Sequence, residues 1–281
     1  MINNKFVLIL IIFTGLVLSA PKERMITIGG CVTETVFELG AGGFVVAVDQ
    51  SSTAPIEVKE LPQVGYIRAI SSEGILSMMP TKILTTTDMG PKKVVEQIQD
   101  SGISLEIFKS PHSFDEILDL VGQIAEYLDL SSRGDSIKDQ MKSVKNQIDK
   151  IKSDREYIPK IAFFMNPTSN SYNAAGADTR ADYLIEFLGG VNIFKSGFSR
   201  YKKVTSEEII NLNPDIILVG SIRSNSKLSD SAFLTNPAFR SISAVSNEKI
   251  IYLDMGKYLT FGPNFVNHVL SLMEVVSIED E

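Results

Sequence analysis

A tyrosine and an arginine in one short loop are the residues whose types and spacing point most clearly to chemistry. Tyr66 follows Gly65 in the stretch LPQVGYIRA (residues 61–69), and Arg68 stands two positions further on. Side chains two residues apart on an extended chain share one side, so the guanidinium could donate to the phenol oxygen and favour the phenolate. A phenolate is a hard oxygen donor suited to ferric iron, and tyrosine is one of the axial ligands of haem iron. Without other information, the motif is more typical of a loop tyrosine that packs its ring and leaves its hydroxyl in water.

Other reactive residues form no recognisable catalytic motif. The sequence contains no G-x-S-x-G, P-loop or H-E-x-x-H pattern, and the GAGG at residues 40–43 follows a predicted helix rather than opening one. His268 falls in the last predicted helix, where a packed or surface histidine is expected, and His112 falls in a loop. Cys31 is expected to be a buried small residue, because no histidine stands near it in the sequence to activate a thiol. The sequence therefore favours a binding protein over an enzyme.

Composition and charge narrow the class further. The 281 residues are 44% hydrophobic and 22% charged, which is typical of a globular protein and excludes disordered and collagen-like chains. The net charge is −7, whereas broad nucleic-acid binding leaves a basic footprint, so no nucleic-acid partner is expected. One cysteine excludes an internal disulfide and a cysteine-cluster metal site.

The first twenty residues resemble a targeting segment. Lys5 precedes an uncharged apolar run at residues 6–20, which is short for a membrane span but typical of the apolar region of a signal peptide. Ser19 and Ala20 supply the small residues expected near a cleavage site, although Pro21 leaves the cut position open. An uncleaved N-terminal anchor is the alternative. No cysteine directly follows the run, so a lipoprotein is not expected.

Strands and helices alternate along the rest of the chain, which predicts parallel sheets with helical crossovers and an α/β fold class. The predicted strands are at residues 25–29, 44–48, 83–86, 105–108, 160–165, 215–219 and 250–253. The predicted helices are at residues 33–39, 91–101, 132–156, 181–188 and 264–276. The helix at 132–156 is a charged rod with a narrow apolar stripe, and its length would let it run along two lobes.

An internal repeat supports two lobes. Residues 72–84 align without gaps to residues 206–218, and each segment predicts a short helix opened by Ser-Glu, then a proline and a buried strand. We therefore predict two Rossmann-like α/β lobes joined by one long helix, with a ligand cleft between them. The predicted boundaries are a signal peptide at 1–20, a first lobe at 21–130, the connecting helix at 131–156 and a second lobe at 157–281.

Taken together, these stretches resemble the periplasmic hemin-binding proteins of bacterial haem ABC importers, within the helical-backbone (class III) substrate-binding proteins. The most specific stretch is VGYIRAISSEGIL (residues 64–76), which is similar to the context of the family's haem-ligating tyrosine. The similar stretches are residues 26–42, 46–53, 61–81, 174–192, 201–219 and 259–265. They are spread, in order, over nearly the whole length of the chain after its first twenty residues.

The resemblance implies a function in haem transport from the periplasm. It implies haem b as transported ligand, held in the cleft, with Tyr66 as axial ligand and Arg68 tuning it. It also implies an inner-membrane ABC permease with its ATPase as partner, and an outer-membrane haem receptor system as a source of haem. Glu73 and Glu207, equivalent in the repeat, are the candidates for docking onto permease arginines. Both would also complement a helix dipole as ordinary first-turn glutamates.

The second lobe departs from part of the family pattern. Some members hold a second haem with a histidine of this lobe, but the corresponding residues 166–174 contain none. One haem is therefore expected, with Tyr172 as the only substitute in that loop. The remaining candidates for the haem pocket or for pairing with the propionates are Arg223, Lys227, Arg200 and Tyr201.

Three other functions stay open at this point. The nearest keeps the fold and changes the ligand to cobalamin or a ferric siderophore. A secreted enzyme on a two-lobed scaffold would need a nucleophile-base pair or metal cluster that the sequence does not offer. An extracytoplasmic sensor or adhesion module would bind no ligand in the cleft.

Overall fold

The first half of the chain builds a four-stranded parallel sheet. The computed structural model describes residues 23–221, 233–234 and 236–277. In chain order, the strands of the first half are β1 (Met25–Thr27), β2 (Val45–Val48), β3 (Gly65–Tyr66), β4 (Ala69–Ile70), β5 (Lys82–Thr86) and β6 (Ser104–Phe108). The sheet has the order β2-β1-β5-β6, and β3 and β4 form a separate antiparallel hairpin. Aliphatic side chains fill this sheet because helices cover both of its faces.

Helices connect these strands, and serine side chains cap the amino ends of two of them. They are α1 (Gly30–Glu38), α2 (Ser72–Ser77), α3 (Lys92–Asp100) and α4 (Phe114–Tyr127). Ser71 caps α2 by accepting a hydrogen bond from the Gly74 amide, and Ser113 caps α4 in the same way through Glu116. The prediction of α/β alternation is confirmed here, with boundaries that shift by one to three residues.

A second sheet follows the long helix α5 (Ser131–Ser153). Its strands are β7 (Lys160–Met165), β8 (Tyr172–Ala175), β9 (Val191–Asn192), β10 (Tyr201–Val204), β11 (Ile216–Ser221) and β12 (Ile250–Asp254). The order is β10-β8-β7-β11-β12, with β9 beside β7. Strands β7, β11 and β12 are parallel, whereas β8 runs antiparallel to both β7 and β10. The sequence did not predict β8, β9 or β10.

The helices of the second half complete an arrangement of two lobes and a connecting helix, as predicted. They are α6 (Arg180–Phe187), α7 (Ser206–Leu212), α8 (Ser243–Ser246), α9 (Met255–Tyr258) and α10 (Phe265–Ser277). The 23 residues of α5 span about 35 Å at 1.5 Å per residue. Its predicted apolar stripe is confirmed, because Ile137, Met141 and Ile148 are buried while Val144 and Ile151 pack against the core.

The internal repeat is visible in the secondary structure. Helix α2 begins at Ser72 and α7 at Ser206, and β5 begins at Lys82 and β11 at Ile216. Both pairs are separated by the 134 residues that the alignment gives. Each unit places its strand next to the first strand of its own sheet, β1 or β7. The two lobes therefore share one building plan.

The carboxyl ends of both sets of parallel strands meet at the junction of the lobes. One hydrophobic cluster includes Leu84 of the first sheet, Met141 of α5 and Leu218 of the second sheet. The amide of Phe114 donates to the Tyr183 hydroxyl at 2.7 Å, which joins α4 to α6. Open α/β sheets bind ligands at the loops that follow their parallel strands, so this junction is the candidate ligand site.

Candidate functional site

Tyr66 lies on the hairpin of β3 and β4, at the edge of this junction. Tyr66 pairs with Ala69, so Ile67 and Arg68 form the two-residue turn between the strands. Ile67 is buried in the apolar core of the first lobe, whereas the Tyr66 side chain is 46% exposed. Buried Ile67 fixes the hairpin, so the Tyr66 phenol faces solvent. A side chain that ligates a bound molecule must be accessible in this way.

The turn corrects one step of the sequence argument. Tyr66 and Arg68 were expected on the same side of an extended chain, but Arg68 is a turn residue and not the next outward position of a strand. Its guanidinium instead forms an ion pair with Asp88, at 3.7 Å between Nη2 and Oδ1. Within the described residues, no hydrogen bond joins the Tyr66 hydroxyl to Arg68.

Backbone hydrogen bonds hold the hairpin in place. The Gly90 amide donates to the Ile67 carbonyl at 2.9 Å, and the Ile70 amide donates to the Gly90 carbonyl at 3.0 Å. On the other side, the Gln50 amide donates to the Gly65 carbonyl at 2.8 Å. Gly65 has a φ of 114°, a conformation that glycine adopts without strain. The hairpin is thus braced between the loops that follow β2 and β5.

Arg180, which the sequence analysis missed, connects the two lobes beside this hairpin. It is the first residue of α6, and its Nη2 lies 2.8 Å from the Ser110 hydroxyl and 3.4 Å from Asp88 Oδ2. It also donates to the carbonyls of Pro111 and Leu259, at 3.2 Å each. The sequence places Arg180 just after Thr179, which caps α6, but no local pattern indicates which groups its guanidinium contacts.

Glu34 is a second buried polar group at the junction. Its side chain on α1 is 5% exposed, and its Oε1 accepts a hydrogen bond of 2.6 Å from the Asn264 amide just before α10. Burial raises the pKa of the Glu34 carboxyl to about 7, with the Asn264 hydrogen bond opposing part of that rise. Nearby, Glu38 accepts from the Asn264 side-chain amide at 2.8 Å. The first lobe is therefore attached to the last helix by carboxyl groups.

Tyr172 occupies the interior of the second lobe. Its side chain is 3% exposed, and its hydroxyl donates to the Ser169 carbonyl at 3.0 Å. Its ring contacts those of Phe164, Phe233 and Phe239, with centroids 5.3 to 6.3 Å apart. The ring therefore belongs to this aromatic core and does not line the lobe junction as an exposed phenol.

The other second-lobe candidates lie on different parts of the chain. Tyr201 on β10 is half-buried, and burial raises the pKa of its phenol to about 12, which disfavours the phenolate that a ferric ion needs. Arg200 is exposed and adopts a left-handed backbone with a φ of 64°. Arg223 and Lys227 lie outside the described residues.

Glu73 and Glu207 occupy equivalent places in the two lobes. Both are exposed and stand in the first turn of their helices, α2 and α7. In α7, Thr205 and Glu208 form a capping box, so Glu207 is not needed as a cap. Both carboxylates face solvent, and both complement the helix dipole.

The cysteine and the two histidines show no arrangement typical of catalysis in the part of the chain that the structure describes. Cys31 is buried in α1, and burial raises the pKa of its thiol to about 11, as expected for an inert cysteine. The His268 ring contacts the Lys257 carbonyl through Nδ1 at 3.1 Å, and His112 is exposed. The described residues contain no cluster of His, Cys, Asp and Glu that could hold a metal ion.

None of the helices that the structure describes combines the length and the apolar character that crossing a bilayer requires.

Comparisons with solved structures find the same fold in haem-binding proteins. The periplasmic heme-binding protein RhuT of Roseiflexus sp. RS-1 is 29% identical with a TM-score of 0.82, over 90% of this chain and 97% of that chain. The periplasmic heme-binding protein BhuT, solved with two hemes, is 28% identical with a TM-score of 0.83, over 91% and 98%. The predicted two-lobed α/β architecture is confirmed by these neighbours.

Curated relatives and a family profile complete the comparison. A vitamin B12-binding protein of Vibrio vulnificus (strain CMCP6) is 23% identical over 248 residues, which is 88% of this chain and 87% of that protein. The profile of the family described as "Periplasmic binding protein" matches residues 25–255. Family and neighbours are substrate-binding proteins, which confirms the expectation of a binding protein rather than an enzyme. The chain therefore belongs to the periplasmic binding protein family, the substrate-binding components of ABC importers.

Proposed function

We propose that this protein binds ferric haem b between its two lobes and delivers it to an inner-membrane ABC permease with its ATPase. The observation that carries the proposal is Tyr66, an exposed phenol on a braced hairpin at the carboxyl ends of the parallel strands. A tyrosinate at such a position is a suitable axial ligand for ferric haem iron. The similarity to RhuT and BhuT supports the same ligand.

The proposed site divides the work between the lobes. Tyr66 is proposed to ligate the iron, and Arg68, on the turn that follows it, is proposed to tune that ligand. From the second lobe, Arg200 and the neutral phenol of Tyr201 are proposed to pair with the propionates, together with Arg223 and Lys227. One haem is proposed, because the loop at 166–174 supplies no histidine and Tyr172 is packed in the core.

Delivery is proposed to use the two helices of the repeat. Glu73 on α2 and Glu207 on α7 would dock onto permease arginines, one from each lobe. Residues 1–20 would direct export to the periplasm, leaving the lobes at 21–130 and 157–281 joined by the helix at 131–156. An outer-membrane haem receptor system would supply the ligand.

Cobalamin is the second candidate ligand, because curated relatives of similar length are named vitamin B12-binding proteins. A corrinoid already carries its own axial ligands and would not need an exposed phenol. The role of Tyr66 therefore separates the two ligands.

The test is a titration of the purified protein with ferric haem and, separately, with cyanocobalamin. Saturation near one equivalent with a high-spin tyrosinate spectrum, lost in Tyr66→Ala, is expected. Tyr157→Ala is the matched control, because Tyr157 is also exposed but donates to Asp215 on the second lobe. Saturable cobalamin binding that survives Tyr66→Ala, with no haem spectrum, would overturn the proposal.

A further inference from the structure

Asp88 stands between the proposed ligand-tuning arginine and the second lobe. It follows the end of β5, and its side chain is 26% exposed. Its Oδ1 faces Arg68 Nη2 at 3.7 Å, and its Oδ2 faces Arg180 Nη2 at 3.4 Å. One carboxylate thus contacts an arginine from each lobe.

The two arginines differ in how firmly they are held. Arg180 has four further partners, namely the Ser110 hydroxyl, the carbonyls of Pro111 and Leu259, and the ring of Phe261. Arg68 is 68% exposed, and Asp88 is the one carboxylate of the described residues that pairs with it. A long exposed side chain with a single ion pair takes its position from that partner.

Asp88 itself is fixed from two further directions. The Ser110 hydroxyl donates to its Oδ2 at 2.6 Å, and its own amide donates to Thr86 Oγ1 at 3.4 Å. Two residues later, Gly90 exchanges backbone hydrogen bonds with Ile67 and Ile70 of the hairpin. The loop at 88–90 therefore supports the Tyr66 hairpin through its backbone and Arg68 through its carboxylate.

We propose that Asp88 is a positioning residue for haem binding, which fixes the Arg68 guanidinium on the turn that follows Tyr66 and is itself held by Ser110 and, across the lobe junction, by Arg180. This inference rests on the proposed function, because it assumes that Tyr66 ligates the haem iron. Asp88 makes no contact with the ligand in this role and acts through Arg68.

The test is a double-mutant cycle between Asp88→Asn and Arg68→Ala, read out by haem affinity and by the tyrosinate-to-iron charge-transfer band. An exposed ion pair contributes about 0.2–1 kcal/mol, so Asp88→Asn should weaken haem binding roughly 1.4- to 5-fold. We expect its band to shift toward that of Arg68→Ala. In the Arg68→Ala background, Asp88→Asn should change neither quantity further.

Three controls separate positioning from structural damage. Asp88→Glu keeps the charge and should restore part of the wild-type band, and Ser110→Ala should shift the band in the same direction as Asp88→Asn by a smaller amount. Asp100→Asn removes an exposed carboxylate at the end of α3 and should leave both readouts unchanged. Thermal unfolding of each variant shows whether it is folded.

Two results would overturn the inference. Equal effects of Asp88→Asn in both backgrounds would show that Asp88 acts without Arg68. A wild-type band in Asp88→Asn would show that Arg68 needs no such partner. If the wild-type protein itself gives no tyrosinate spectrum, the proposed function fails first, and that failure is visible before any Asp88 variant is measured.

Discussion

Tyr66 and Tyr172 are both tyrosines that the sequence offers as contacts for a haem, and the two lobes treat them in opposite ways. Tyr66 is 46% exposed on a two-stranded hairpin at the edge of its lobe. Tyr172 is 3% exposed on β8, which lies between β7 and β10 of the second sheet. The lobes share a building plan, yet one presents a phenol to solvent and the other encloses it.

The difference arises from what packs around each ring. In the first lobe the neighbouring Ile67 takes the buried position, and the short hairpin leaves the tyrosine without a covering layer. In the second lobe Phe233 and Phe239 cover the tyrosine from elements that come later in the chain. A tyrosine becomes available for ligation only where the fold leaves its hydroxyl uncovered.

The largest effect on haem binding is expected when a single hydroxyl group is removed from one of these two tyrosines. We expect Tyr66→Phe to weaken ferric haem binding by at least roughly 10- to 100-fold, the range for lost partners of metal ligands, and Tyr172→Phe to leave binding unchanged. Absorption titrations of both variants measure this. Haem binding that depends on the Tyr172 hydroxyl would reverse the comparison.

When stability is measured instead of haem binding, the larger effect is expected at Tyr172 and the smaller one at Tyr66. Removing a buried aromatic ring costs about 3–5 kcal/mol, so Tyr172→Ala should lower the free energy of unfolding by that amount. Tyr66→Ala changes an exposed side chain and should stay within about 0.5 kcal/mol of wild type. Urea unfolding followed by circular dichroism gives both values, and similar losses at the two sites would contradict the assigned burial.

The junction of the lobes should respond to pH through Glu34. Its folded-state pKa of about 7 lies above the ordinary value of 4.5, so the folded protein binds a proton that the unfolded chain releases. This contribution is fully present below pH 4.5 and is lost as the pH rises through 7. The free energy of unfolding should fall by about 3 kcal/mol over this pH range.

Glu34→Gln, which keeps an oxygen acceptor for the Asn264 amide, should flatten that part of the pH dependence. Urea unfolding between pH 4.5 and 8 compares it with wild type. Glu57→Gln serves as the control, because Glu57 is exposed on the surface of the first lobe. An unaltered pH profile in Glu34→Gln would mean that another group controls the stability of the junction.

Small effects on stability are also expected at Glu73 and Glu207, which occupy equivalent places in the two lobes. Glu73→Ala and Glu207→Ala each remove a first-turn carboxylate and should cost about 0.3–1 kcal/mol of stability. If Glu73 and Glu207 are the docking residues, each variant should also stimulate ATP hydrolysis by the permease–ATPase complex less than the wild-type protein does, while haem binding is retained. Wild-type stimulation in both variants would leave them as helix-dipole glutamates only.

Local sequence patterns predicted most of the secondary structure. The apolar runs, the Ser-Glu pairs that open α2 and α7 and the stripe on α5 are properties of neighbouring residues, and the gapless alignment of 72–84 with 206–218 located the repeated unit. Tyr66 was identified as a candidate in the same way, from its immediate neighbours and from the resemblance of its motif. These features can be recognised from residues that are close together in the sequence, or from a similar pattern in the other half of the chain or in a known family.

The contacts that define the site depended on the tertiary structure. Arg180 and Asp88 stand 92 positions apart, and Glu34 and Asn264 stand 230 apart. The turn that directs Arg68 to Asp88 and the antiparallel strands that enclose Tyr172 were likewise absent from the sequence analysis. Periodicity and spacing report which residues can be buried, whereas the partner of a buried charge is decided only when distant segments pack together, because the cost of desolvation is offset by that partner.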